Sequence, residues 1–297
     1  MPEPKTHDTS PVSISDAFAH CESLTQAHYE NFPVGSLLIP KHLRPHVHSI
    51  YAFARTADDF ADEPGLTSQE RLKHLDQWDT HLDTCLSTPT EPIFIALAET
   101  IRNQNLPVQL LKDLLTAFRL DVKTNRHQTF EDLLHYCTYS ANPVGRLILH
   151  LFGYRDEHLA QQSDAICSAL QLANFWQDIA IDFSRNRIYI PQKDLKRFGI
   201  DSTNLESQNI TPEFCALLDE LIQRTRTLFH EGYPLLNTVR GRLRFELRLT
   251  YLGGLEILNK IPQNNYDIYR RRPTVGKRDL PRLLFKTLLP IFWPSHT

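Results

Sequence analysis

Apolar residues recur at steps of three and four along most of the chain, and the strict alternation of a half-buried strand is scarce. The pattern predicts an all-α protein, with helices near residues 15–31, 40–62, 68–86, 91–104, 107–121, 129–152, 157–183, 211–234 and 238–261. Pro33, Pro40, Pro64, Pro89, Pro92, Pro107, Pro191, Pro212 and Pro273 mostly fall between these segments, as suits a residue without an amide proton. The stretch EDLLHYCTYSANPVGRLILHLFGY differs, because Pro143 and Gly145 interrupt a periodic apolar run. A bend is expected there, and the freed backbone groups are tolerable if the site borders a cavity. No internal repeat and no Gly/Ser-rich linker marks a domain boundary.

At 297 residues and 41% hydrophobic, the chain can bury one large core. A single helical domain is expected over residues 15–280, preceded by a mobile polar tail (1–14) and followed by an apolar segment (281–297). A formal charge of −3 gives no basic field, so nucleic acid is not an expected partner. Cys21, Cys85, Cys137, Cys167 and Cys215 are odd in number and lack a C-x-x-C pair, which fits reduced structural thiols. The N-terminus lacks the apolar stretch of a signal peptide, and no window could span a bilayer, so a cytoplasmic location is expected. The ending YRRRPTVGKRDLPRLLFKTLLPIFWPSHT supports two readings. Its Lys/Arg and Leu/Phe/Trp suit contact with an anionic (inner-)membrane surface, and equally a basic loop with a short helix packed on the core.

Chemistry enters with IYAFARTADDFADE. Asp58 and Asp62 stand four apart at the end of an apolar helix, so both project from one face. Like charges at that spacing disfavour the helix unless a cation is near. The step repeats in LQLANFWQDIAIDFSRNRIYIP, where Asp178 and Asp182 follow Asn174. One such pair is ordinary surface; two, each on an aromatic-rich helix, suggest a Mg²⁺ site for a substrate diphosphate. The chemistry that follows is ionisation of an allylic diphosphate. Arg55 precedes Asp58 by three residues and could pair with it or hold a phosphate oxygen.

These residues resemble the squalene and phytoene synthases, all-helical enzymes of the class I isoprenoid synthase fold with a central active-site cavity. YAFARTADDFAD resembles the first aspartate-rich motif of that family and QLANFWQDIAID the second. The resemblance implies that Asp58, Asp62, Asp178 and Asp182 hold Mg²⁺, that Asn174 and Gln171 support the second site, and that Tyr51 and Arg55 line the first. It places His28 and Phe32 in a substrate-binding stretch, Tyr136 near the reacting carbons, and Arg272 and Lys277 within reach of the diphosphate. The second motif usually reads N-x-x-R-D, but Gln177 precedes Asp178 here. Asn142 likewise follows Ala141 where glycine is usual. With HYENFPVGS, SANPVGRL and NFWQD, these departures resemble the hydroxysqualene synthases of bacterial hopanoid and squalene pathways.

The implied reaction ionises presqualene diphosphate, rearranges the cation and quenches it with water. Phe53, Tyr136, Phe175 and Trp176 are expected to offer aromatic faces to the cation, and Asn142 or Gln177 to position the water. Asn142 could instead cap the helix broken at Pro143. NADPH is not expected, since no Gly-rich fingerprint follows a strand. A condensing prenyltransferase making presqualene diphosphate, squalene or phytoene is the runner-up. A helical assembly scaffold is a further alternative, disfavoured because all four aspartates are kept. KHLRPHVH puts His42 and His46 at ligand-like spacing, but Pro45 between them favours a helix start over a metal site.

Overall fold

The computed structural model describes residues 12–27 and 39–289. His28, Phe32, the last four residues of the first expected helix, and the ends 1–11 and 290–297 lie outside the described residues. Among the described residues there is no strand, only an isolated bridge between Arg126 and Ile188. The chain divides into two compact units, residues 1–108 and 109–297.

In the first unit, α2 (Arg44–Asp62) packs on α1 (Ile14–Ala27), α3 (Ser68–Thr84) and α4 (Pro92–Gln104). Helix α2 starts four residues later than the pattern predicts, with Pro45 in its first turn, where the missing amide proton costs nothing. KHLRPHVH is therefore a helix start. His46 Nδ1 lies 3.0 Å from Thr100 Oγ1, which is also 2.8 Å from Ser49 Oγ, so the histidine ties α2 to α4. Phe53 is fully buried, stacked on Trp78 at 6.0 Å and edge-on to Phe94 at 6.1 Å. Contrary to the expectation of a cation-facing ring, Phe53 is a core residue. Thr67 and Glu70 form a reciprocal capping box that fixes where α3 begins.

The second unit is built around α8 (Glu157–Gln177), which packs against α6 (Phe130–Ser140), α7 (Asn142–Leu151), α12 (Pro212–Gly232), α13 (Leu235–Thr238) and α14 (Gly241–Gln263). The unit also holds α5 (Val108–Lys123, its first residue at the boundary), α9 (Ile179–Ser184), α10 (Gln192–Arg197), α11 (Ser202–Glu206) and α15 (Leu280–Leu288). Helix α12 reaches α8 closely at Gly232, where a Cβ would fall 2.4 Å from Ile166 Cγ1 and 2.6 Å from the Gln162 carbonyl oxygen. Nothing larger than glycine fits without moving the two helices apart.

The bend expected at Pro143 separates α6 from α7 at Ala141. Asn142 does not cap α7, which has no side-chain cap. Its Oδ1 instead accepts a 2.9 Å hydrogen bond from Ser168 Oγ inside the α7–α8 contact. The expected helix over 157–183 is also interrupted. Asp178 (φ −106°, ψ 11°) ends α8 and precedes α9, yet the Asp182 amide still donates to the Asp178 carbonyl at 2.9 Å, so the one-turn step survives. The five cysteines are free thiols, as expected. No described helix is long and apolar enough to cross a membrane.

Candidate active site

Tyr51, Arg55, Asp58 and Asp62 follow one another at steps of four, three and four, so they form a single stripe along the C-terminal half of α2. Arg55 lies 3.4 Å from Asp58 and donates to Asp59 at 2.5 Å, the latter bond spanning one turn. Burial alone would lower the Arg55 pKa, but the Asp59 hydrogen bond and the Asp58 charge raise it, so its cation is secure. Burial also raises the Tyr51 hydroxyl, which stays protonated. Asp59 points off the stripe and serves by holding Arg55.

The second ladder ends α8. Gln171, Asn174 and Asp178 fall at steps of three and four, with Gln171 half-buried and Asn174 exposed. Arg272, from the segment after α14, forks onto Asp178 through Nε to Oδ1 and through Nη2 to Oδ2, the latter at 3.0 Å. That fork raises the Arg272 pKa. Gln177, 7% exposed, donates from Nε2 to the Pro273 carbonyl oxygen, so the basic segment is seated beside the ladder by two neighbouring residues. Lys277 is exposed.

Asp182 is pushed up to about 6 by burial, and next by the Asp178 charge, while Arg187, Arg185 and Arg272 pull the other way. A raised carboxylate costs stability when ionised: the cost is full above pH 6 and fades as pH falls from about 6 toward 4. In chelator, Asp182→Asn is therefore expected to be more stable than the wild type by roughly 1–2 kcal/mol at pH 8, after allowance for screening. The difference in denaturation midpoint should close near pH 4; a constant difference across that range would refute the charge assignment.

An aromatic cluster lies in the same unit. Tyr136 is buried on α6 and donates its hydroxyl to Asp121 Oδ2 at 3.0 Å. Burial, and next the Asp121 charge, raise its pKa well above the ordinary value, so Tyr136 acts as a donor and not as a base. Phe175 stacks on Tyr189 at 3.7 Å, and Tyr189 lies 5.8 Å from His127. Trp176 faces elsewhere: it is fully buried and donates to Thr225 Oγ1 at 2.8 Å, a core role that replaces the expected cation-facing one. A cleft of about 1000 Å³ borders Phe183, Ser184, Arg126 and α10, and its lining includes none of the four aspartates.

Four participants were not singled out in the sequence: Asp121, Tyr189, Arg185 and Arg187. The R-x-R directly after the second ladder is a legible signal for the arginines. Asp121 had none, because its partner stands fifteen residues away.

Among the described residues no group of three or more His, Cys, Asp or Glu could hold a metal as an all-protein cage. Mg²⁺ does not need one, since it keeps waters and takes one or two carboxylates together with substrate phosphates. Two carboxylates one turn apart, one of them destabilised as an anion by burial and by the other's charge, form a donor set that fits such a cation. The pair Asp178 and Asp182 would hold it in the second unit, with Asn174 one turn before; Asp58 and Asp62 offer the same set in the first.

The squalene/phytoene synthase family pattern matches residues 25–279. A hydroxysqualene synthase of Rhodopseudomonas palustris is 36% identical over 229 residues, 77% of this chain and 74% of that protein. A 15-cis-phytoene synthase of Synechococcus elongatus is 29% identical over 277 residues, 89% of this chain and 90% of that one. Among solved structures, squalene synthase HpnC from Alicyclobacillus acidocaldarius superposes with a TM-score of 0.81 at 41% identity, covering 86% of this chain and 97% of that one. The fold is thus the helical fold of class I isoprenoid synthases. With its two aspartate ladders and a match across residues 25–279, the chain belongs to the squalene/phytoene synthase family.

Proposed function

We propose that the protein converts presqualene diphosphate to hydroxysqualene and diphosphate, with water as the final nucleophile. The observation that carries the ionisation step is the second ladder, where Asp178 and Asp182 stand among Arg272, Arg185 and Arg187. Mg²⁺ on the aspartates would neutralise the leaving diphosphate. The arginines suit phosphate oxygens, since a guanidinium offers a fork of donors. A cation formed beside the aromatic cluster of Tyr136, Phe175 and Tyr189 would be favoured by their π systems over a bare apolar wall. Tyr136 is held to Asp121, so its hydroxyl does not wander toward the cation. The choice of this branch is supported by Gln177 and Asn142, departures shared with the hydroxysqualene-like pattern, and by the similarity to hydroxysqualene synthases.

The test is to incubate the protein with presqualene diphosphate and Mg²⁺, with and without NADPH, and identify the product by mass spectrometry. Hydroxysqualene without NADPH supports the reading. Consumption of farnesyl or geranylgeranyl diphosphate, with no turnover of presqualene diphosphate, would sink it in favour of a condensing enzyme, the activity its phytoene synthase relatives are named for.

We further propose that α15 rests on an anionic bilayer surface. Leu283 and Thr287 are buried, and α15 packs on α14, as the short-helix reading expected. Leu280, Leu284, Phe285 and Leu288 are exposed on the same helix. Residues 270–289 carry seven Lys/Arg against one acidic residue, Asp279; Arg272 pairs with Asp178 and Arg282 with Glu256, and the other five suit phosphatidylglycerol headgroups. The protein should float with phosphatidylglycerol vesicles and not with phosphatidylcholine alone. The pair Phe285→Glu, Leu288→Glu should cut the bound fraction about tenfold. Equal binding to both vesicles, or a concentration-dependent dimer abolished by the same pair, would refute the bilayer as occupant.

A further inference from the structure

We propose that Gln177 is a positioning residue that seats the strap 272–279 on the second aspartate ladder, so that the cation beside Asp178 is delivered by Arg272 from the strap and not from α8 itself. This inference rests on the diphosphate reading above.

Gln177 is the last residue of α8, and its amide is buried. Its Nε2 donates to the carbonyl of Pro273, which is itself buried. Proline fixes its own φ and confines the preceding residue to extended backbone, so gripping Pro273 also sets the path of Arg272. Arg272 then lies with both arms of its fork on Asp178. The strap is anchored again further along. Lys260 Nζ donates to the Thr274 carbonyl at 2.7 Å and to Asp279 Oδ2 at 2.6 Å, and Asp279 Oδ2 accepts from the Gly276 amide at 2.8 Å. Gln177 is the anchor beside the ladder, and Lys260 with Asp279 is the anchor away from it.

An arginine at position 177, the residue the second motif usually carries, could also donate to Pro273. It would, however, place a second fixed charge next to Asp178. A neutral amide keeps the backbone grip and leaves the local charge to Arg272, whose side chain is 46% exposed. An exposed side chain on a seated backbone can exchange one anion for another: the carboxylate of Asp178 for an oxygen of a bound diphosphate. The strap thus supplies a cation that can follow the leaving group, where a helix-borne arginine would stay beside the metal ligand.

Gln177→Leu keeps size and removes the donor. Two measurements test the role. Trypsin cleavage at Arg270, Arg271, Lys277 and Arg278, followed by mass spectrometry, should speed up about tenfold in Q177L as the strap lifts. Binding of inorganic diphosphate with Mg²⁺, by calorimetry, should weaken about tenfold in Q177L and in Arg272→Ala, and no further in the double variant, because one residue acts through the other. Should Q177L fail to fold, Gln177→Arg serves: it should keep wild-type protease resistance, while Arg272→Ala in that background costs less than about threefold in diphosphate affinity. Wild-type cleavage rates in Q177L, additive losses in the double variant, or an undiminished effect of Arg272→Ala beside Arg at 177 would overturn the role. If the wild type binds no diphosphate with Mg²⁺, the functional reading fails, and the cleavage rates still decide the strap.

Discussion

Replacing Asp178 by asparagine is expected to lower kcat/KM on a prenyl diphosphate by about 10²–10³-fold, at saturating Mg²⁺, without loss of folded protein. The magnitude is that of removing one group that stabilises developing charge in the transition state. The amide keeps the shape of the side chain but is a poorer ligand for a hard cation, and it no longer matches both arms of the Arg272 fork. Stability should hold for a separate reason. The Asp178 charge is one cause of the raised pKa at Asp182, so its removal relieves a repulsion as it breaks an ion pair that is half open to solvent. Asp58→Asn should behave alike in activity, since Asp58 occupies the corresponding place on its own ladder and has Arg55 beside it. Diphosphate release measured across a Mg²⁺ titration checks both variants against the wild type. Activity within tenfold of wild type in both would remove the aspartates from the site. A wild type inactive on every prenyl diphosphate would return the scaffold reading.

The ladders were legible because helical spacing is strictly local: residues four apart share a face whatever the rest of the chain does. The same locality explains the bend at Ala141, signalled by Pro143, and the start of α2, signalled by Pro45. What the pattern could not show is set by contacts distant in sequence. The interruption at Asp178 carries no proline or glycine; it occurs where Gln177 and Asp178 receive a segment more than ninety residues away. The short α10 and α11 escape a periodicity argument because six or five residues hold too few turns to display it. The basic ending admitted two readings, and α15 has both a buried face against α14 and an outward apolar face, so the sequence was ambiguous because the helix is two-sided. Asn142 was legible as unusual but not in its role, because its partner Ser168 belongs to another helix.

Trp176 is the instructive misassignment, and it yields the second large effect. In the sequence it stands beside Phe175 in NFWQD, and two adjacent aromatics before an acidic ladder invite the same role. Adjacent positions on a helix point about 100° apart, however, and only one of the two can face the aromatic cluster. Phe175 takes that direction and stacks on Tyr189, while Trp176 turns into the α8–α12 contact and donates to Thr225. Trp176→Ala is therefore expected to destabilise the second unit by about 3–5 kcal/mol, read from the denaturant midpoint, because it removes the largest fully buried side chain among the described residues and leaves a cavity. Trp176→Phe should cost less, roughly 1–2 kcal/mol for the lost hydrogen bond and the smaller ring, and should leave the product distribution unchanged. Phe175→Leu should show the opposite split, with a modest stability cost and an altered product profile, because it removes a π face and keeps apolar bulk. If Trp176→Phe instead redirected the product at unchanged stability, the two rings would have to exchange roles, and the orientation of α8 on which the second ladder depends would be wrong with them.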